Sequence, residues 1–132
     1  MGSIYITRKI PDLARRMLSK KGFKVVVNGQ AKNLTKQQLI DVFGEYDGVL
    51  TMMTDKISEE IIAAASGKLK IIANYAVGVD NIDVLAAKHR GIVVTNTPAV
   101  ASESVAEHTF ALILALKKRL LEADRFVRLG KY

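Results

Sequence analysis

The stretch Leu69-Lys70-Ile71-Ile72-Ala73-Asn74-Tyr75-Ala76-Val77-Gly78-Val79-Asp80-Asn81-Ile82-Asp83-Val84-Leu85-Ala86-Ala87-Lys88-His89-Arg90-Gly91-Ile92-Val93-Val94-Thr95 contains one complete strand–helix–strand unit. Leu69 to Ala73 is a short, mostly apolar run that reads as a buried strand. Asp80 or Asn81 is placed to cap a short helix through Val84, Leu85, Ala86 and Ala87, which ends before Gly91. Ile92 to Thr95 is the next strand, and Asn96-Thr97-Pro98 closes it.

The same alternation runs back to the start of the chain. Ile4-Tyr5-Ile6 is β-prone, Pro11 and Asp12 open a helix carrying Leu13, Met17 and Leu18, and Gly22 stops it. Phe23 to Val27 is a second strand, ended by the turn pair Asn28-Gly29. Thr35 is the N-cap expected for a helix with Leu39, Ile40 and Phe43 on one side and Gly44 after it. Val49 to Met52 is a third strand. Ser58-Glu59-Glu60 opens a helix with Ile61, Ile62 and Ala65 inward, its acidic first turn matching the positive end of the helix dipole. Five strands, each followed by a helix within about 20 residues, predict an α/β domain: a parallel sheet with helices on both faces and right-handed crossovers. By analogy with flavodoxin-like sheets the expected strand order is 2-1-3-4-5.

The last segment is different. Ser104-Val105-Ala106-Glu107 fits a capping box, and from Val105 to Leu129 no residue breaks a helix before Gly130. The expectation is one long C-terminal helix of 25 residues, roughly 37 Å at 1.5 Å per residue. Phe110 to Leu116 is apolar on every side, and a helix apolar all round has to be covered all round. The segment is therefore expected to pack against something outside this chain, such as a second copy.

Composition narrows the function classes. The chain has 132 residues, 49% of them hydrophobic and none of them Cys. That is one domain's length, with enough apolar material for a core and no disulfide framework, thiolate metal site or thiol nucleophile. No apolar run reaches the roughly 18–20 residues of a membrane-spanning helix, and the N-terminus lacks a secretory layout, so a cytoplasmic protein is expected. The net charge of +7 is uneven: residues 1–36 hold nine Lys and Arg against Asp12 alone. With only Tyr5 and Phe23 as aromatic partners there, a solvated basic face is preferred to a nucleic-acid site.

Chemistry is expected in the stretch Asn74 to Asp83, at the carboxyl end of a parallel strand, where open α/β sheets bind ligands. A loop centred on Gly78 can turn backbone N–H groups toward an anion such as a carboxylate, and the following helix adds its positive end. A plain strand–turn–helix junction, with Gly for its backbone angles, explains the same residues. His108 and Glu107 point about 100° apart on a helix and form no ready dyad, so His108 is read as structural or interfacial. His89 is read as solvated, Asp80 and Asp83 as capping residues, and Ser102 and Ser104 lack a base. No metal site is expected from two distant His.

Four groups of residues resemble one family. Asn74 to Asp83, Arg90-Gly91-Ile92-Val93-Val94-Thr95-Asn96-Thr97-Pro98, Ser104-Val105-Ala106-Glu107-His108 and Glu122 to Gly130 are similar, in order and spacing, to the D-isomer-specific 2-hydroxyacid dehydrogenases. Ile6 to Pro11 and Leu50 to Asp55 resemble its glyoxylate and hydroxypyruvate reductase branch. The resemblance implies an enzyme that reduces a small 2-keto acid to the D-2-hydroxy acid with NAD or NADP, built from a flavodoxin-like substrate domain and a Rossmann cofactor domain. It implies that residues 1–98 are the substrate domain and residues 99–132 the first helix of a cofactor domain, in a homodimer joined through Val105 to Leu129. It further implies that the N–H groups of Val77 and Gly78 hold the substrate carboxylate, that Met53 borders the pocket, and that Val105 lies near the nicotinamide.

The family's Gly-rich phosphate loop has no counterpart here, since no two of the nine glycines are separated by a single residue. Its catalytic Arg, Glu and His also come from a later part of the family's chain. The expectation is a truncated enzyme, inactive and binding no cofactor by itself. The alternative is a non-catalytic carboxylate-binding or dimerisation module. Continuation of the encoding DNA into a G-x-G-x-x-G segment would decide between them.

Overall fold

The computed structural model describes residues 2–131. Five strands, β1 (Ser3–Ile6), β2 (Lys24–Val27), β3 (Gly48–Met52), β4 (Ile71–Tyr75) and β5 (Val93–Thr95), form one parallel sheet in the order β2-β1-β3-β4-β5. Between them lie α1 (Leu13–Lys20), α2 (Lys36–Glu45), α3 (Glu59–Ala63) and α4 (Val84–His89). This is the order expected by analogy with flavodoxin-like sheets.

Strand side chains alternate between the two faces, and the faces are covered unequally. On one, α2, α3 and α4 bury Leu39, Phe43, Ile61, Ile62 and Ala87 against Val49 and Ile72 of the sheet. Each such large side chain contributes about 1.5–3 kcal/mol relative to exposure. Tyr5 and Tyr46 extend this layer with ring centroids 5.1 Å apart, and burial pushes both hydroxyls above the usual tyrosine range. On the other face α1 stands alone. It leaves an apolar cleft of about 650 Å³ between Met17, Leu18 and Phe23 and the sheet residues Ile4, Leu50 and Ile71. Leu13 and Met17, read as part of the helix's apolar stripe, are 60% and 59% exposed, since within the first unit no second helix lies beside α1 on this face.

The caps show which local signals hold. Thr35 forms the full capping box: its hydroxyl accepts from the Gln38 N–H, and the Gln38 side chain accepts from the Thr35 N–H. β4 runs to Tyr75 rather than Ala73, so Asn74 belongs to the strand. Asp83, and neither Asp80 nor Asn81, caps α4 by accepting from the Ala86 N–H at 2.9 Å.

The chain divides into two compact units, Met1–Pro98 and Ala99–Tyr132. The second holds α5 (Ser102–Lys117) and α6 (Leu120–Arg128), which corrects the expectation of one unbroken helix. Arg119 adopts the left-handed conformation, φ 51° and ψ 42°, with no Gly or Pro to announce it. Lys117, Lys118 and Arg119 gather cations at the negative end of α5, and Arg119 pairs with Glu122 in the first turn of α6. The Ser104 capping box is absent too, because α5 starts earlier, with Ala101 as its N-cap. Among the described residues no helix is long and apolar enough to cross a membrane.

Candidate functional site

The carboxyl ends of the five parallel strands share one edge of the sheet. Beyond the last β3–β4 pair, Met52 with Tyr75, the chain enters two adjacent loops, Met53 to Ile57 and Ala76 to Asp83. A parallel bridge between Ile57 and Ile82 ties them together. So do bonds from the Ile57 N–H to the Asn81 carbonyl at 2.8 Å and from the Asp83 N–H to the Ile57 carbonyl at 2.9 Å.

A buried polar cluster holds these loops from beneath. The Thr51 hydroxyl donates to Asn74 Oδ1 at 3.0 Å. Asn74 Nδ2 donates to Asn81 Oδ1 and to the Gly78 carbonyl, both at 2.9 Å. Asn81 Nδ2 donates to the carbonyls of Met52 at 3.1 Å and Asp55 at 2.9 Å. The Asp55 carboxylate is 3% exposed and accepts from the Met52 N–H at 2.9 Å and the Thr7 hydroxyl at 2.5 Å. No fully buried side-chain N or O among the described residues lacks a partner. Such a satisfied network specifies one loop geometry, because leaving a buried group unpaired costs about 1–3 kcal/mol.

Above the cluster, successive carbonyls of the loop are all engaged. Ala76 O accepts from the Thr97 N–H at 2.9 Å, Val77 O from Asn96 Nδ2 at 2.6 Å, and Gly78 O from Asn74. In a trans peptide the N–H points away from the C=O of the same plane, and no peptide here is cis. The N–H groups of Val77, Gly78 and Val79 are therefore turned away from these partners, and they donate to nothing among the described residues. Free, neighbouring N–H donors on an exposed loop suit an anion with two acceptor oxygens.

Gly78 is needed here for close approach rather than for unusual backbone angles. It is absent from the glycines with positive φ, and a Cβ at this position would stand 2.9 Å from Asp80 Oδ2. The expected help from the α4 dipole is also corrected, since Asp83 already caps that helix end with its own charge.

The structure brings Met53 and the pair Val77–Gly78 to the same edge, with Met53 and Val77 exposed. Val105 lies on α5 in the second unit and is exposed. His89 ends α4 and His108 lies on α5; neither joins a metal-binding group among the described residues. The turn from Thr7 to Asp12 after β1 has no glycine, and Gly22, Gly91 and Gly130 each stand alone behind a helix. No cradle for a dinucleotide's phosphates is formed by the described residues. In the basic third, Arg15 and Arg16 pair with Asp12, and Lys36 pairs with Glu60.

Sequence reading included Asn74 and Asn81 in the candidate stretch and Asn96, Thr51 and Asp55 in family-like motifs, but missed the hydrogen bonds by which they hold the loops. One signal was available: Thr51 and Asn74 sit two residues beyond Val49 and Ile72, at core-facing positions where a polar residue needs a reason.

Residues 4–123 match the D-isomer specific 2-hydroxyacid dehydrogenase, catalytic domain. Over 129 residues the chain is 43% identical to a glyoxylate reductase of Pyrococcus horikoshii, covering 98% of this chain and 38% of that protein. The TT0316 protein of Thermus thermophilus superimposes with a TM-score of 0.80 at 36% identity, over 98% of this chain and 41% of that one. The D-lactate dehydrogenase of Aquifex aeolicus, in complex with NAD and lactic acid, superimposes with a TM-score of 0.73 at 28% identity, over 99% of this chain and 38% of that one. The chain thus spans about two-fifths of the length of these relatives. A matched domain model over nearly all residues, on a sheet of the same topology, means that this chain belongs to the D-isomer-specific 2-hydroxyacid dehydrogenase family.

Proposed function

We propose that the chain is the substrate-side portion of a cytoplasmic, NAD(P)-dependent D-2-hydroxyacid dehydrogenase that reduces a small 2-keto acid such as glyoxylate or hydroxypyruvate. Residues 1–98 are its substrate domain and residues 99–132 the start of its cofactor domain. The observation that carries the reading is the row of N–H groups at Val77, Gly78 and Val79, without partners among the described residues, in the loop at the carboxyl edge of the sheet. The N–H groups of Val77 and Gly78 hold the substrate carboxylate, and Met53 borders the pocket. Val105 lies near the nicotinamide in the whole enzyme, an assignment supported by the family resemblance alone.

A nicotinamide cofactor supplies hydride in such a reaction. The described residues form no phosphate cradle, so its binding and the acid–base chemistry fall to parts of a whole family member that this chain does not contain. The apolar surface of α5 and α6 joins two copies.

The test is a titration of the isotope-labelled 132-residue chain with glyoxylate, followed by amide NMR. Saturable shifts centred on the Val77 and Gly78 amides are expected. Shifts confined to other loops, or none at millimolar ligand, would refute the carboxylate site.

A further inference from the structure

We propose that Asn96 is a positioning residue for substrate binding: by holding the Val77 carbonyl, its side-chain amide aims the Gly78 N–H at the substrate carboxylate. The inference rests on the carboxylate reading above and deepens it.

The Val77 carbonyl and the Gly78 N–H belong to one rigid plane and point in opposite directions. Rotating that plane is the only inexpensive way to re-aim the Gly78 donor, and Gly78 itself, lacking a Cβ, offers little resistance to the rotation. A constraint must therefore come from outside the loop. It comes from Asn96 Nδ2, which donates to the Val77 carbonyl at 2.6 Å. The planes on either side are held by different partners. Ala76 O is bound by the Thr97 N–H, and Gly78 O by the buried Asn74. Each of the three planes thus has its own anchor, and Asn96 is the anchor of the Gly78 donor.

Asn96 follows directly on β5 and is exposed. An exposed asparagine contributes little to the core, so its replacement leaves the sheet intact. That separates it from Asn74, whose loss would break the buried cluster as well.

The experiment uses the 132-residue chain with Asn96→Ala and Asn96→Asp, the second keeping the size of the side chain while replacing its donor with an acceptor. Without ligand, residual dipolar couplings report the direction of each N–H vector. The Gly78 coupling is expected to change in both variants while those of Ile72 and Ala73 in β4 stay as in the parent. With oxamate as the carboxylate probe, affinity is expected to fall about threefold to tenfold, the worth of one lost hydrogen bond, with the melting temperature unchanged. Unaltered Gly78 coupling in both variants, or altered coupling with unaltered oxamate affinity, would overturn the proposal. If the parent chain binds no oxamate, the carboxylate reading fails and so does the role in binding, while the ligand-free couplings still show whether Asn96 aims the Gly78 N–H.

Discussion

The Thr7 hydroxyl donates to the buried carboxylate of Asp55 at 2.5 Å, joining the end of β1 to the turn after β3 across 48 residues of sequence. The same carboxylate oxygen accepts the Met52 N–H, so Asp55 sets the path on which Met53 leaves the sheet. Replacing Thr7 by Val removes the hydroxyl and keeps the shape. It is expected to cost about 1–3 kcal/mol, the penalty for an unpaired buried partner. Urea unfolding would measure it; an unchanged midpoint would mean that the bond adds nothing to the fold.

Asp47 predicts an acid limb of stability. The Ser3 N–H and hydroxyl donate to its carboxylate at 2.6 and 2.7 Å and hold it below the usual aspartate range. A carboxyl lowered in the folded state stabilises above its unfolded pKa, about 3.9, and loses that contribution as pH falls through the folded value. Asp47→Asn should therefore flatten the decline of the unfolding midpoint below about pH 4 while leaving its shape near neutrality unchanged. A parent and variant with parallel acid limbs would exclude Asp47 as a source.

The second unit should be an assembly element. Phe110, Leu112, Ile113, Leu114 and Leu116 on α5 are each more than half exposed, as are Leu120, Leu121 and Val127 on α6. At about 1.5–3 kcal/mol per buried side chain, covering three or four of them is a large gain against a domain stability of about 5–15 kcal/mol. Leu114→Asp or Leu116→Asp should dissociate a two-fold dimer or drive aggregation. Sedimentation of the parent as a monodisperse monomer at micromolar concentration would refute this.

Keto-acid reduction by the chain alone should be undetectable. Among the described residues the glycines build no phosphate cradle, and His89, the only His of the first unit, ends α4 rather than joining the loop that carries Val77 and Gly78. The check is oxidation of NADH or NADPH in the presence of glyoxylate; turnover above the protein-free blank would show that the residues present suffice.

Sequence alone determined the parts governed by local chemistry. Apolar runs and the stops between them marked the five strands, and Thr35 marked the start of α2, because both depend on neighbours in the chain; the strand order came from the analogy with flavodoxin-like sheets. The family motifs pointed to Val77 and Gly78 but not to what orients them. Only the tertiary structure paired Asn74 with Thr51 inside β4 and turned Asn81 toward Met52 and Asp55. Those bonds join residues 23, 26 and 29 positions apart, so they exist only once strand pairing has brought the ends of β3 and β4 side by side. The break at Arg119 was hidden for a different reason. It uses a left-handed residue without glycine, which leaves no mark in hydrophobic periodicity.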